Sequence, residues 1–160
     1  MTAYQCSRID DNQVKLTTST LIHALIPLIA DLAQDLPERE RLRRLLAALR
    51  TLLPADAVAL LRLEGEWLRP LAIDGLMPDT LGRRFRVAEH PRFAQLLAAG
   101  QTMRFAPDSP LPDPYDGLIE HDGPLHVHDC MGCVLQTGGL AWGLLTLDAL
   151  APERFADPAA

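Results

Sequence analysis

Ala57-Val58-Ala59-Leu60-Leu61-Arg62-Leu63-Glu64-Gly65-Glu66-Trp67-Leu68-Arg69-Pro70-Leu71-Ala72-Ile73 decides the fold class. Two apolar runs flank Glu64-Gly65, a turn signal, so the stretch predicts a strand, a tight turn and a returning strand. A second hairpin follows in the last third. His126 to Gln136 predicts a strand, Thr137-Gly138-Gly139 a turn, and Leu140 to Asp148 the final strand. Strands grouped as hairpins imply an antiparallel sheet. Helical periodicity precedes the first hairpin. Leu21, Ile22, Leu25, Leu28, Ile29 and Leu32 fall on one face of a helix over Thr17–Asp35, which Pro27 should kink or start. Leu42, Leu45, Leu46, Leu49, Leu52 and Leu53 stripe a second helix, with Asp35 as cap, Glu38 as its partner and Pro37 near the first position. His90-Pro91-Arg92 opens a short helix that stops at Gly100, Gln101 to Phe105 predicts a short strand, and residues 107–114 hold four prolines, too many for a regular element. The architecture is α+β: an antiparallel sheet with helices packed on it and a long central loop as the candidate site.

A chain of 160 residues suits one domain with a proper core. Its 48% hydrophobic content excludes a disordered chain. A net charge of -6 argues against direct nucleic-acid contact and against an anionic membrane surface. No apolar run approaches the roughly 20 residues that span a bilayer. Three cysteines make a disulfide framework unfavourable and fit a reducing cytoplasm. Residues 1–15 read as a polar tail, 16–150 as the domain and 151–160 as a second tail.

Few residues offer chemistry. Asp113-Pro114-Tyr115-Asp116-Gly117 is a turn whose two carboxylates either converge on one cation or decorate its surface. In His126-Val127-His128-Asp129-Cys130-Met131-Gly132-Cys133, strand alternation puts His126, His128 and Cys130 on one face and Asp129, Met131 and Cys133 on the other. That parity separates Cys130 from Cys133 and weakens a redox-pair reading. Asp148 closes an apolar strand, as turn-former or as ligand. Arg92 opposes the dipole of its own helix, which calls for an acidic partner or for solvent. No glycine-rich phosphate loop occurs, and none of Ser7, Ser19 and Ser109 sits at a nucleophile-like turn.

Several blocks in order resemble one family. They are Pro70-Leu71-Ala72-Ile73-Asp74-Gly75-Leu76, Leu81-Gly82-Arg83-Arg84-Phe85, His90-Pro91-Arg92, Leu111-Pro112-Asp113-Pro114-Tyr115-Asp116-Gly117-Leu118-Ile119, Val127-His128, Cys130 and Leu145-Thr146-Leu147-Asp148. Together they resemble the N-terminal sensory GAF domain of NorR-type, nitric-oxide-responsive transcription activators. The resemblance implies a GAF fold of five to six antiparallel strands with helices on both faces. It also implies a regulatory, non-enzymatic role: nitric oxide binds a mononuclear non-haem ferrous ion and so controls an ATPase domain of the same regulator. The implied metal ligands are Asp113, Asp116, Cys130 and Asp148, with Arg92, Tyr115 and His128 around them. Arg92 is a partner for a carboxylate or the bound gas, since guanidinium has no lone pair to give. Carboxylates and one thiolate suit ferrous iron, with zinc as a possible substitute. A homodimer is the further partner.

The family's ATPase and helix-turn-helix lie outside these 160 residues, so the expectation is an excised sensor domain or a stand-alone relative. Ala98-Ala99 lacks the basic residue associated with contacts to the ATPase. His126 and Cys133 are additions that could recruit a different metal. Two alternatives remain: a GAF-type free methionine sulfoxide reductase using Cys6, Cys130 and Cys133, and a metal-free ligand-binding or dimerising module.

Overall fold

The computed structural model describes residues 18–32, 34–119, 127 and 129–156. The expectations placed on residues 1–15, Cys6, His126 and His128 lie outside these. The described elements, in chain order, are α1 (Thr18–Leu32), α2 (Glu38–Leu52), β1 (Ala57–Glu64), β2 (Trp67–Asp74), β3 (Phe85–Arg86), α3 (Pro91–Ala99), β4 (Met103–Phe105), β5 (Asp129–Thr137) and β6 (Leu140–Ala149). Two short 3-10 helices, Pro78–Gly82 and Val87–Glu89, flank β3. The six strands form one antiparallel sheet in the order β3-β2-β1-β6-β5-β4.

Both hairpins form where the sequence places them. In the second, Thr137 pairs with Leu140, and Gly138 and Gly139 both take positive φ, 58° and 81°. Two consecutive left-handed residues match the strand twist of a two-residue hairpin, and glycine adopts them without a Cβ clash. The closing edge of the sequence is thereby brought to the centre of the sheet, because β6 pairs with β1 as well as β5.

The two sheet faces carry separate cores. On one, Val58, Leu60, Ala72 and Leu147 meet Leu46 of α2. Leu46 is fully buried, a contribution of roughly 1.5–3 kcal/mol for a leucine side chain. On the other, Ala57, Ala59, Leu61, Cys130 and Leu144 meet Phe93 and Leu96 of α3 and Tyr115, Leu118 and Ile119 of the central loop. That loop is fastened at its far end, where Leu76 bridges Ile119 and Met77 N–H donates to the Leu118 carbonyl at 2.8 Å.

Several local expectations change. α2 begins after Pro37 with no side-chain cap, so Asp35 does not close a capping box with Glu38. Glu40 instead anchors Arg43 and Arg44, and Arg44 crosses to Asp31 of α1 at 2.8 Å. α1 runs through Pro27, which costs it one backbone hydrogen bond. Its apolar stripe is largely not core: Ile22, Leu25, Ile26 and Ile29 are 41–64% exposed, because α2 covers the sheet and α1 packs on α2. Residues 151–156, read as tail, form turns tied to the sheet, with Phe155 packed against the α2-side core.

Candidate metal centre

β5 and β6 build half of the site. Cys130 and Asp148 are direct cross-strand partners, so they project from the same face of the sheet. That face is the one covered by α3 and the central loop. Asp148 sits between two paired strands and has no exposed surface, and Cys130 is 3% exposed. The proline-rich loop supplies the third group. Asp113 Oδ1 accepts the Tyr115 N–H at 2.7 Å, a local turn that aims its other oxygen inward. One ligand atom from each of Asp113, Cys130 and Asp148 lies within 4.8 Å of the others, and all three residues are buried.

Arg92 leaves the first turn of α3 with 8% of its side chain exposed. Its Nη1 donates to Asp113 Oδ2, and its Nε donates to the Leu111 carbonyl at 3.0 Å. The guanidinium lies 5.3 Å from the Phe105 ring centre, a cation-π contact. It therefore pins the loop and holds one carboxylate. Tyr115 is fully buried among Phe85 and Phe93, and its phenol oxygen accepts the Thr146 hydroxyl at 3.2 Å.

Asp116 stands apart from the trio. It is exposed, and its Oδ1 accepts the Val127 N–H at 2.9 Å, fastening the loop to the approach of β5. The structure thus gathers three of the four expected ligands. The reason is the turn itself: Asp113 is drawn inward by Arg92 and Tyr115, and three residues on the chain has turned outward. Cys133 is half-buried on the opposite sheet face, where Met131, Leu135 and Leu145 pack, so Cys130 and Cys133 do not form a pair.

The electrostatics are those of an unsatisfied anion site. Burial pushes the Asp148 carboxyl well above the usual carboxylate range, and the Asp113 charge adds to this. Burial raises Asp113 too, against the pull of Arg92. The Cys130 thiol is pushed well up by burial, then by Asp148 and Asp113. Both Asp148 oxygens are buried without a hydrogen-bond donor. A carboxylate in that position costs roughly 1–3 kcal/mol or more unless something meets it. Two oxygen donors and one sulfur converging on a common point fit a divalent ion such as ferrous iron or zinc, whose charge would offset the repulsion.

Thr146 enters the sequence reading only as a member of the block Leu145-Thr146-Leu147-Asp148. Its pairing with Tyr115 spans 31 residues, and no local signal announces it.

An all-antiparallel sheet with helices on both faces and a long loop closing over one of them defines a GAF-type module. A family model for the GAF domain matches residues 37–159, and the chain belongs to that family. The chain is similar to the nitric oxide reductase transcription regulator NorR1 of Cupriavidus necator, at 59% identity over 130 residues, 80% of this chain and 25% of that protein. It is 48% identical over 134 residues to the anaerobic nitric oxide reductase transcription regulator NorR of Serratia proteamaculans, covering 84% of this chain and 26% of that protein. The chain thus spans about a quarter of the length of these curated relatives. Among solved structures, the GAF domain of a phosphoenolpyruvate-protein phosphotransferase from Coxiella burnetii superposes with a TM-score of 0.68 at 20% identity, over 87% of this chain and 83% of that one. That likeness is one of fold. No described helix is long and apolar enough to cross a membrane.

Proposed function

We propose that this chain is the regulatory sensor domain of a nitric-oxide-responsive transcription activator. It binds the gas at one non-haem ferrous ion held by Asp113, Cys130 and Asp148. The supporting observation is the pair of orphaned Asp148 oxygens facing Cys130 and Asp113 inside a closed core. An ion there would supply open coordination positions for a neutral diatomic. The protein's part is to hold the anions together, exclude water and keep Arg92 on Asp113. Asp116, whose Oδ1 accepts the Val127 N–H, joins as a fourth ligand only if its part of the loop turns inward. Zinc is the substitute the same donors would accept.

The role is non-enzymatic, the compartment is the cytoplasm, and the sensor unit covers residues 16–150 with flanking segments on either side. The downstream partner is the ATPase domain of the full-length regulator. A second copy of the chain is the occupant of the α1 stripe. The only Asp, Glu, Lys or Arg in α1 is Asp31, spent on Arg44, so the stripe offers nothing to select an oppositely charged partner. A neutral apolar strip is its own complement. The divergence of Cys130 and Cys133 disfavours a Cys130–Cys133 methionine sulfoxide reductase.

Anaerobic reconstitution tests the reading. The protein should take up about one ferrous ion per chain and, with nitric oxide, give a high-spin ferrous-nitrosyl EPR signal. Iron-loaded protein that gives no such signal would overturn it.

A further inference from the structure

Outside the trio, one other acid is buried among the described residues. Asp129 precedes Cys130 and pairs with Ala149, next to Asp148. Its Oδ1 accepts Arg104 Nε at 2.9 Å, and its Oδ2 accepts Arg104 Nη2 at 3.1 Å. The same Oδ2 accepts the Phe155 N–H at 2.8 Å. Arg104 reaches on to Glu153 at 2.9 Å. Glu153 holds φ at 56°, the one positive φ outside glycine among the described residues. A side chain in that region is strained and persists only while its surroundings hold it.

A second fastening serves the other strand. The Asp56 N–H donates to the Asp148 carbonyl at 2.8 Å, and Asp56 Oδ2 accepts the Leu150 N–H at 2.8 Å. Residues 150–156 therefore have no strand or helix of their own. They are held by two carboxylates, each adjoining a residue of the trio. One peptide separates Cys130 from Asp129 and two separate Asp148 from Leu150, so a backbone shift at either member of the trio is carried to these fastenings.

We propose that Asp129 and Arg104 are positioning residues that latch residues 150–156 onto the ends of β5 and β6, and that drawing Cys130 and Asp148 together tightens this latch. The state of the buried trio is thereby read out at the segment that leaves the sheet. The ion-dependent arm of this inference rests on the metal reading above; the latch itself does not.

Coupling of this kind is reciprocal, which makes it measurable from both ends. In the 160-residue chain, ferrous ion should slow hydrogen exchange of the Phe155 and Leu150 amides about ten-fold, with β2 amides unchanged. Asp129→Asn should abolish that protection and weaken ferrous binding by a similar factor, about ten-fold. Arg104→Gln should do the same should the first variant not fold. Ferrous-loaded protein whose Phe155 amide exchanges as in the metal-free form overturns the proposal. A chain that takes up no ferrous ion sinks the metal reading alone. There Asp129→Asn, which weakens the hold on the Phe155 amide, should speed Phe155 exchange about ten-fold, and no change overturns the latch.

Discussion

Asp148 has no exposed surface, and that sets the direction of the pH response of the metal-free protein. Its carboxyl is raised in the fold by burial, then by Asp113. As pH climbs past the ordinary carboxylate value, the unfolded chain sheds this proton while the folded chain keeps it. Stability is undiminished below that value and falls above it, by ~1.4 kcal/mol per pH unit until the raised native value is reached. Asp148→Asn removes the effect. Its stability relative to the parent in chelator should rise with pH above the ordinary carboxylate range, measured by thermal melts. A flat or declining advantage contradicts the assignment. Cys130→Ala should lose ferrous binding with the fold retained, and Cys133→Ala should keep it, both read by iron content. Asp113→Ala carries a structural cost as well, because Asp113 is buried. It leaves Arg92 buried and unpaired, so it should cost about 3–5 kcal/mol in urea unfolding.

At the scale of elements, strands were more legible than helix contacts. The alternation of 57–73 and the Thr137-Gly138-Gly139 turn are local signals, and both hairpins follow them. The turn sets β5 beside β6, while the register that pairs Cys130 with Asp148 is supplied by the structure. β3 was missed because two residues, Phe85 and Arg86, carry no period; they pair with Leu68 and Trp67 only through the tertiary fold. The α1 stripe reads as core because periodicity reports an apolar face and not what covers it. Central packing makes its own demand at Gly143. A Cβ there would lie 2.1 Å from the Leu61 carbonyl oxygen of β1. Gly143→Ala should therefore force β6 off β1 and destabilise by about 1–3 kcal/mol, with the lowered urea midpoint as the measure.

Over the whole molecule, the fold class was legible because hairpins, helices and composition agree on one answer. The site was legible in part. Its residues were found through blocks of resemblance, while the inward turn of Asp113 and outward turn of Asp116 depend on Arg92, 21 residues away from Asp113. No spacing rule reaches that far. Self-association also belongs to this scale. Ile26→Glu with Ile29→Glu should convert the proposed dimer to monomer in sedimentation velocity, with the circular dichroism of the domain unchanged. A parent chain that sediments as a monomer across the micromolar range contradicts the assignment of α1 to a second copy.

The closure of the central loop over the trio has a kinetic corollary. The loop is clamped at Leu111 and Asp113 by Arg92 and at Leu118 by Met77, and it roofs a carboxylate with no exposed surface. An ion beneath it has no path to solvent except through a local opening of that roof. Removal by a chelator should thus run at a rate that saturates with chelator concentration, its ceiling set by the opening rate. Arg92→Gln, which unfastens one end, should raise that ceiling. A neutral diatomic is small enough to slip through breathing motions that detain a hydrated cation, so the same roof sieves its visitors by size and charge while sealing its tenant in.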